Sequence, residues 1–159
     1  MFAVRLVQLI EVHADKLSEG LIRKLKNSDA CNDLFYFVPA HELKHRTWEI
    51  YRHLSDWMLT KTDSEIEERY IGVGSRRAHQ GVPFSQLLFA IQSTKEHLWE
   101  FLRQEGLLDP EDLIAEMELL QSVDLFFDRA LYYAALGYEK ENAGRLPYHA
   151  GARASTDAL

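Results

Sequence analysis

Hydrophobic positions recur along this chain at steps of three and four, the repeat of one face of an α-helix. Over residues 2–26, Val4, Val7, Ile10, Leu17, Leu21 and Leu25 form such a stripe despite Gly20, and the basic end Arg23, Lys24 and Lys26 suits a helix C-terminus. Asn27 to Val38 reads as a connector whose Leu34-Phe35-Tyr36-Phe37 cluster tucks under the core. Pro39 opens a second helix, since its missing N–H would be unsatisfied at a first helical position anyway. Leu43, Thr47, Ile50, Leu54 and Trp57 make the stripe that follows. Polar residues from Thr60 to Ser64 cap a third helix from Glu65 to about Gln80, and Gly81-Val82-Pro83 ends it. A fourth helix runs from Pro83 to Glu105, with Gly106 closing it. Asp109-Pro110-Glu111-Asp112 starts the last helix, which continues to about Glu141. Gly144 to Leu159 is small, polar and unpatterned, as expected of a flexible tail or linker. The pattern predicts an all-α domain over residues 1–142 followed by a tail over 143–159.

Two of these helices place polar residues where apolar ones belong. On the third, Ile66, Tyr70 and Val73 form the inward stripe and its next position is Arg77, whereas His79 points about 200° away. Arg77 is either a long side chain lying along apolar surface with its head in water, or a guanidinium facing a pocket and held by a buried acid or an anionic ligand. On the last helix, Leu113, Met117, Leu120, Phe127 and Leu131 keep a four-three rhythm whose middle place is filled by Asp124. A carboxylate there needs a cation, and Arg77 is the candidate for a buried pair with Asp124. The same helix carries a second seam of Leu119, Val123, Phe126, Ala130 and Tyr133. A helix apolar on two faces is buried on two sides, so this seam is expected to form a subunit interface, with small Ala130 and Gly137 allowing close approach. The alternative is a central helix wrapped by its own domain.

His41-Glu42-Leu43-Lys44-His45 spells HExxH, which on a helix can hold zinc with the glutamate as general base. Here both histidines fall opposite the Leu43/Ile50/Leu54/Trp57 stripe, at the very start of the helix, and Lys44 brings a cation into the motif. The reading is two exposed histidines with Glu42 supporting the helix N-terminus, and no metal site.

Composition narrows the function classes. With 47% hydrophobic and 27% charged residues over 159 positions, the chain suits one globular domain. Its 25 acidic residues outnumber 18 basic ones, a field that disfavours nucleic acid and anionic membranes. The longest apolar runs fall far short of the roughly 20 residues of a membrane span, and no signal-peptide pattern opens the chain, so a cytoplasmic protein without membrane insertion is expected. Cys31 is the one cysteine and has no partner spacing for a disulfide or a nucleophile.

Ile71-Gly72, Arg77-Ala78, Gly81-Val82-Pro83, Leu87-Leu88, Ala90, Leu98-Trp99 and Leu102 together resemble the N-terminal domain of RsbR-type stressosome proteins and related sensor kinases. Val38-Pro39, Glu42-Leu43, Leu54, Trp57 and the segment from Asp128 to Gly137-Tyr138 extend the match over roughly residues 4–140. The resemblance implies a globin-like helical bundle of about five to seven helices, a non-enzymatic sensory and dimerisation module without haem, and output partners such as STAS or kinase domains. No output domain is expected in residues 143–159, which leaves open whether the domain stands alone or is a piece of a longer chain. In haem sensors of the related globin-coupled kind, the iron-binding histidine lies four residues before the glycine of the corner, and counting back from Gly81 reaches Arg77. Arginine has no lone pair free for iron. Tyr70, Val73, Arg77, Leu88, Ile91 and Trp99 combine inward phase with the place a globin gives its cofactor, and are the ligand-pocket candidates for an unknown small molecule. A homodimeric signalling domain without a cofactor is therefore expected, with a haem- or tetrapyrrole-binding sensor as the alternative and a zinc hydrolase through His41 and His45 as the third.

Overall fold

A computed structural model describes the backbone of residues 2–105 and 110–145, and the side chains of 6–105 and 117–144. The loop at 106–109 and the segment 146–159, where most of the expected tail falls, lie outside the described residues. Among those described, seven α-helices follow one another: α1 (Phe2–Val12), α2 (Ala14–Lys26), α3 (Asn32–Phe37), α4 (Ala40–Arg52), α5 (Asp63–Gln80), α6 (Phe84–Gln104) and α7 (Pro110–Arg145). A 3-10 turn at Asp29–Cys31 precedes α3, and a π-helical turn at Asp56–Thr60 precedes α5. The architecture is all-α, as the periodicity predicts.

The stripe over 2–26 forms two helices. His13 sits at φ −95°, ψ 17°, yet the helical bonds continue through it, from the His13 N–H to the Leu9 carbonyl (3.1 Å) and from the Leu17 N–H to the His13 carbonyl (2.9 Å). The result is a bend. It lets α1 lean on α4 and α7 while α2 packs on α4 and α6. Burial follows the predicted phase, since Leu17, Leu21 and Leu25 are all fully inside.

The connector is only half buried. Because α3 is a short helix, one side alone faces inward: Leu34 and Val38 are in the core, while Tyr36 is 83% exposed. On α4 and the turn after it the inward line is Leu43, Thr47, Tyr51 and Leu54, with Ile50 and, in the π-helical turn, Trp57 at its margin. Tyr51 is fully buried, and its hydroxyl donates to the Thr94 carbonyl at 2.8 Å, so the bulky ring enters the core without stranding a polar atom.

Thr62 begins α5 with a capping box, its hydroxyl accepting from the Glu65 N–H while the Glu65 carboxylate accepts from the Thr62 N–H. Gly81 ends it at φ 85°, a left-handed position that glycine takes without steric cost. There the Gly81 N–H reaches the Ala78 carbonyl and the Val82 N–H reaches the Arg77 carbonyl, both at 3.1 Å. Pro83 then sets the start of α6.

The helices α5 and α7 form the main packing pair. They approach at two glycines. A Cβ on Gly74 would overlap the Ala134 carbonyl and lie 2.8 Å from the Tyr138 nitrogen, and one on Gly137 would overlap the Ile71 carbonyl and lie 2.8 Å from its Cα. Beside this crossing, Trp57, Tyr70, Phe126 and Phe127 form an aromatic cluster with ring centroids 5.2–6.0 Å apart. No helix among the described residues is long and apolar enough to cross a membrane.

This packing changes the reading of the last helix. Leu119, Val123, Phe126 and Ala130 are buried by the chain's own elements, and Tyr133 is half-buried with its hydroxyl donating to Asp63 at 3.1 Å. The seam expected to meet a second chain is filled from within, as α1, α5 and α6 all pack on α7 and the bare backbones at Gly74 and Gly137 let α5 come close. Among the described residues, the large apolar side chains that α7 leaves outside are Met117 (52% exposed), Leu125 (50%) and Tyr132 (63%). Their spacing puts them within about 80° of arc on one side of the helix.

Candidate functional site

The last turn of α5 carries Arg77 inward, at the place the periodicity assigns it. It is 3% exposed. Its Nη1 donates to the Glu42 carboxylate at 2.8 Å and to the Gln80 side-chain oxygen at 2.6 Å. Glu42 comes from the first turn of α4, where it had been expected to support its own helix N-terminus; instead it crosses to α5. The Arg77 hydrogen bond, followed by the charges of Arg77, Arg46 and Arg76, holds the Glu42 carboxyl below the usual carboxylate range against the opposing effect of burial.

The pair expected between Arg77 and Asp124 does not form. Asp124 lies outside the inward arc of α7, about half exposed, and faces Lys95 at 3.9 Å, with Asp128 on the same lysine at 3.5 Å. The reason is the phase of α7: with apolar residues on both of its faces, position in a stripe does not tell which side is covered.

More guanidiniums gather around this junction. Glu49 on α4 accepts from Arg69 at 2.7 Å, lies 3.5 Å from Arg46, and has His45 at 3.2 Å. Arg46 is depressed from the usual arginine range by burial and then by the like charges of Arg76 and Arg69. The face between α4 and α5 is thus rich in positive charge on a chain of net charge −7. Beside it runs an open groove of about 400 Å³ bordered by Trp57, Lys61, Arg69, Gly72, Val73 and Arg76, with Glu65 and Glu68.

Of the six pocket candidates, Val73 borders that groove, while Tyr70 and Arg77 face the other way, into the core. Burial raises the Tyr70 phenol well above its ordinary value. Leu88, Ile91 and Trp99 on α6 are half-buried, with Ile91 and Trp99 packed against the core. The six do not line one cavity. Arg46, Arg69 and Arg76 escaped the sequence reading because they lie off the apolar stripes, and the only trace of them was the density of arginine in two separate helices.

In the HExxH segment His41 and His45 are exposed and Glu42 is bound to Arg77, so the carboxylate that zinc chemistry would need as a base is held by a cation. No group of three or more His, Cys, Asp or Glu residues able to hold a metal occurs among the described residues. Nor do the residues fit haem ligation at the corner, since the position four before Gly81 is a buried guanidinium with two oxygen partners and His79 is exposed, 3.7 Å from Glu141. Cys31 is buried, which pushes its thiol up to about 11 and leaves it unreactive.

No curated protein and no solved structure matches the chain. The family described as the RsbT co-antagonist protein rsbRD N-terminal domain matches residues 33–153, from α3 through α7, and takes in the α4–α5 junction, the Gly81 corner and the Gly74/Gly137 crossing. This chain belongs to that family, and is an all-α sensor domain of the RsbR N-terminal type.

Proposed function

We propose that this domain is a non-enzymatic, cytoplasmic signal-sensing module that works without haem and acts as a homodimer on an output partner of the STAS or kinase kind. The observation that carries the reading is the state of Arg77. A sensor that bound iron at the Gly81 corner would need a ligand with a free lone pair there; the chain has a guanidinium tied to Glu42 and Gln80 instead. The arginine staples α4 to α5 where a globin would place its cofactor. A stimulus can then act only by favouring one packing of these helices over another, which requires different affinity for the two.

Support for a dimer comes from the outer side of α7. Met117, Leu125 and Tyr132 leave an apolar line on the helix whose other side grips α5, so a partner on that line would be coupled mechanically to the α5–α7 crossing. This moves the proposed interface from the Leu119/Val123/Phe126/Ala130/Tyr133 seam to the opposite edge of the same helix.

Spectroscopy tests the haem-free reading. Haem titrated into the purified domain should give no Soret band that depends on a histidine. A band abolished by His79→Ala would restore the haem-sensor alternative.

A further inference from the structure

We propose that the groove along the outer face of α5 is a binding site for a small oxyanion, a phosphoryl or carboxylate group held between Arg69 and Arg76 against Gly72. The inference goes beyond the sensory reading and does not depend on it, because it concerns binding and not signalling.

Gly72 and Val73 each stand three or four residues from both Arg69 and Arg76, so the four share one face of α5, with the two arginines about a turn to either side of the glycine. Gly72 is the unexplained member. Gly74, two residues on, is required by the α7 backbone, but a Cβ on Gly72 would meet nothing within 4 Å. A glycine in a helix interior weakens the helix, and here no packing within the described chain asks for it. Its effect is a notch in the helix surface through which a ligand can reach close to the backbone.

The charges around the notch are arranged for an anion. Arg76 is exposed and makes no ion pair within 4 Å among the described residues, although its charge reaches Glu42. Arg69 gives Nη2 to Glu49 and keeps other N–H groups for a second acceptor. Lys61 stands over the Trp57 ring, 5.9 Å from its centroid, at the end of the groove. Of the two acids on the rim, Glu65 is committed to the Thr62 cap, which leaves Glu68 as the only rim carboxylate without a partner among those described. Arg46 on α4 adds a further guanidinium nearby, partly offset by Glu49. Guanidinium forks match the geometry of phosphate and carboxylate oxygens.

Isothermal titration at fixed ionic strength with inorganic phosphate, and separately with succinate, tests the site on the full chain. One equivalent of at least one probe should bind, and the tighter of the two tells phosphoryl from carboxylate chemistry. Arg76→Gln should weaken it by about tenfold, through loss of charge-assisted bonds. Gly72→Leu should abolish it while the melting temperature without anion stays level or rises, because the new side chain fills the notch and favours the helix. Glu68→Gln should tighten it by removing the competing carboxylate. No binding of either probe up to about 10 mM, or binding that survives both Arg76→Gln and Gly72→Leu, overturns the proposal.

Discussion

The guanidinium of Arg77 and the carboxylate of Glu42 meet at 2.8 Å, the first 3% exposed and the second reaching it from another helix. Truncating the more exposed partner therefore leaves the more buried charge behind. Glu42→Ala should cost about 2 kcal/mol of stability, below the figure for a fully buried pair because Glu42 keeps some contact with water. Arg77→Met, which keeps the packing and lets Glu42 turn outward, should cost about half as much. In the double variant the second change should recover part of the loss from the first, as urea denaturation would read; strictly additive costs would mean that the two residues are not coupled.

Acid should weaken the same pair. The folded-state pKa of Glu42 is depressed, so its contribution is present above the unfolded value of 4.5 and is lost as pH falls through the lower folded value. In Glu42→Gln this part of the acid-induced loss should be missing from melting curves taken between pH 5 and pH 3; an unchanged acid limb would contradict the assignment.

The α5–α7 crossing gives a sharper contrast. Gly74→Ala or Gly137→Ala sets a methyl group against backbone, which cannot turn aside as a side chain can. Each should cost about 3 kcal/mol or more, or prevent folding altogether. Gly72→Ala, on the outer face of the same helix, should be neutral or stabilising by a few tenths of a kcal/mol to about 1 kcal/mol. Circular dichroism melts of the three variants check the order, and similar losses in all three would show that the crossing is looser than described.

His97 introduces a dependence on mild acid. It lies between α2 and α6, where a Cβ on Gly20 would come within 2.9 Å of its Nε2, and its Nδ1 is buried without a hydrogen-bond partner. Burial first, and then the Lys24 charge, lower its pKa against the opposing effects of Glu100 and the Leu17 backbone bond. The unfolded chain takes up the proton sooner than the folded one, so stability should decline as pH falls below the ordinary value of 6.5, and stop declining from this source once the folded value is passed. His97→Phe should flatten the melting temperature between pH 7 and pH 5 relative to the parent chain. An identical slope in both would remove His97 as the cause.

How far the sequence carried depended on whether a feature was local. Caps and breakers lie within a few residues of what they control, so the polar run from Thr60 to Ser64, Gly81, Pro39 and Pro110 placed helix ends to within a residue or two. The inward phase of Arg77 was equally legible, being a property of one helix. Its partner was not, because Glu42 is 35 residues away on another helix and only the tertiary fold brings the two side chains together. On α7, apolar residues lie on more than one side, and phase could not decide whether Asp124 or the Leu119–Tyr133 seam faced the domain. That decision rests with the helices that pack on α7, α5 above all, which approaches it at Gly74 and Gly137. The bend at His13 carries no Pro or Gly to announce it.

The outer line of α7 makes a separate prediction. If Met117, Leu125 and Tyr132 meet their counterparts in a second chain, Leu125→Glu should shift sedimentation at micromolar concentration from dimer to monomer while leaving the helical content intact. Val123→Glu, on the inward side, should unfold the domain instead. A parent chain that sediments as a monomer would count against the interface.

Native mass spectrometry of freshly purified protein reports oligomer and cofactor in one spectrum. The expected spectrum has the mass of two chains with no tetrapyrrole added. A single chain, or a mass increased by that of haem, would contradict it.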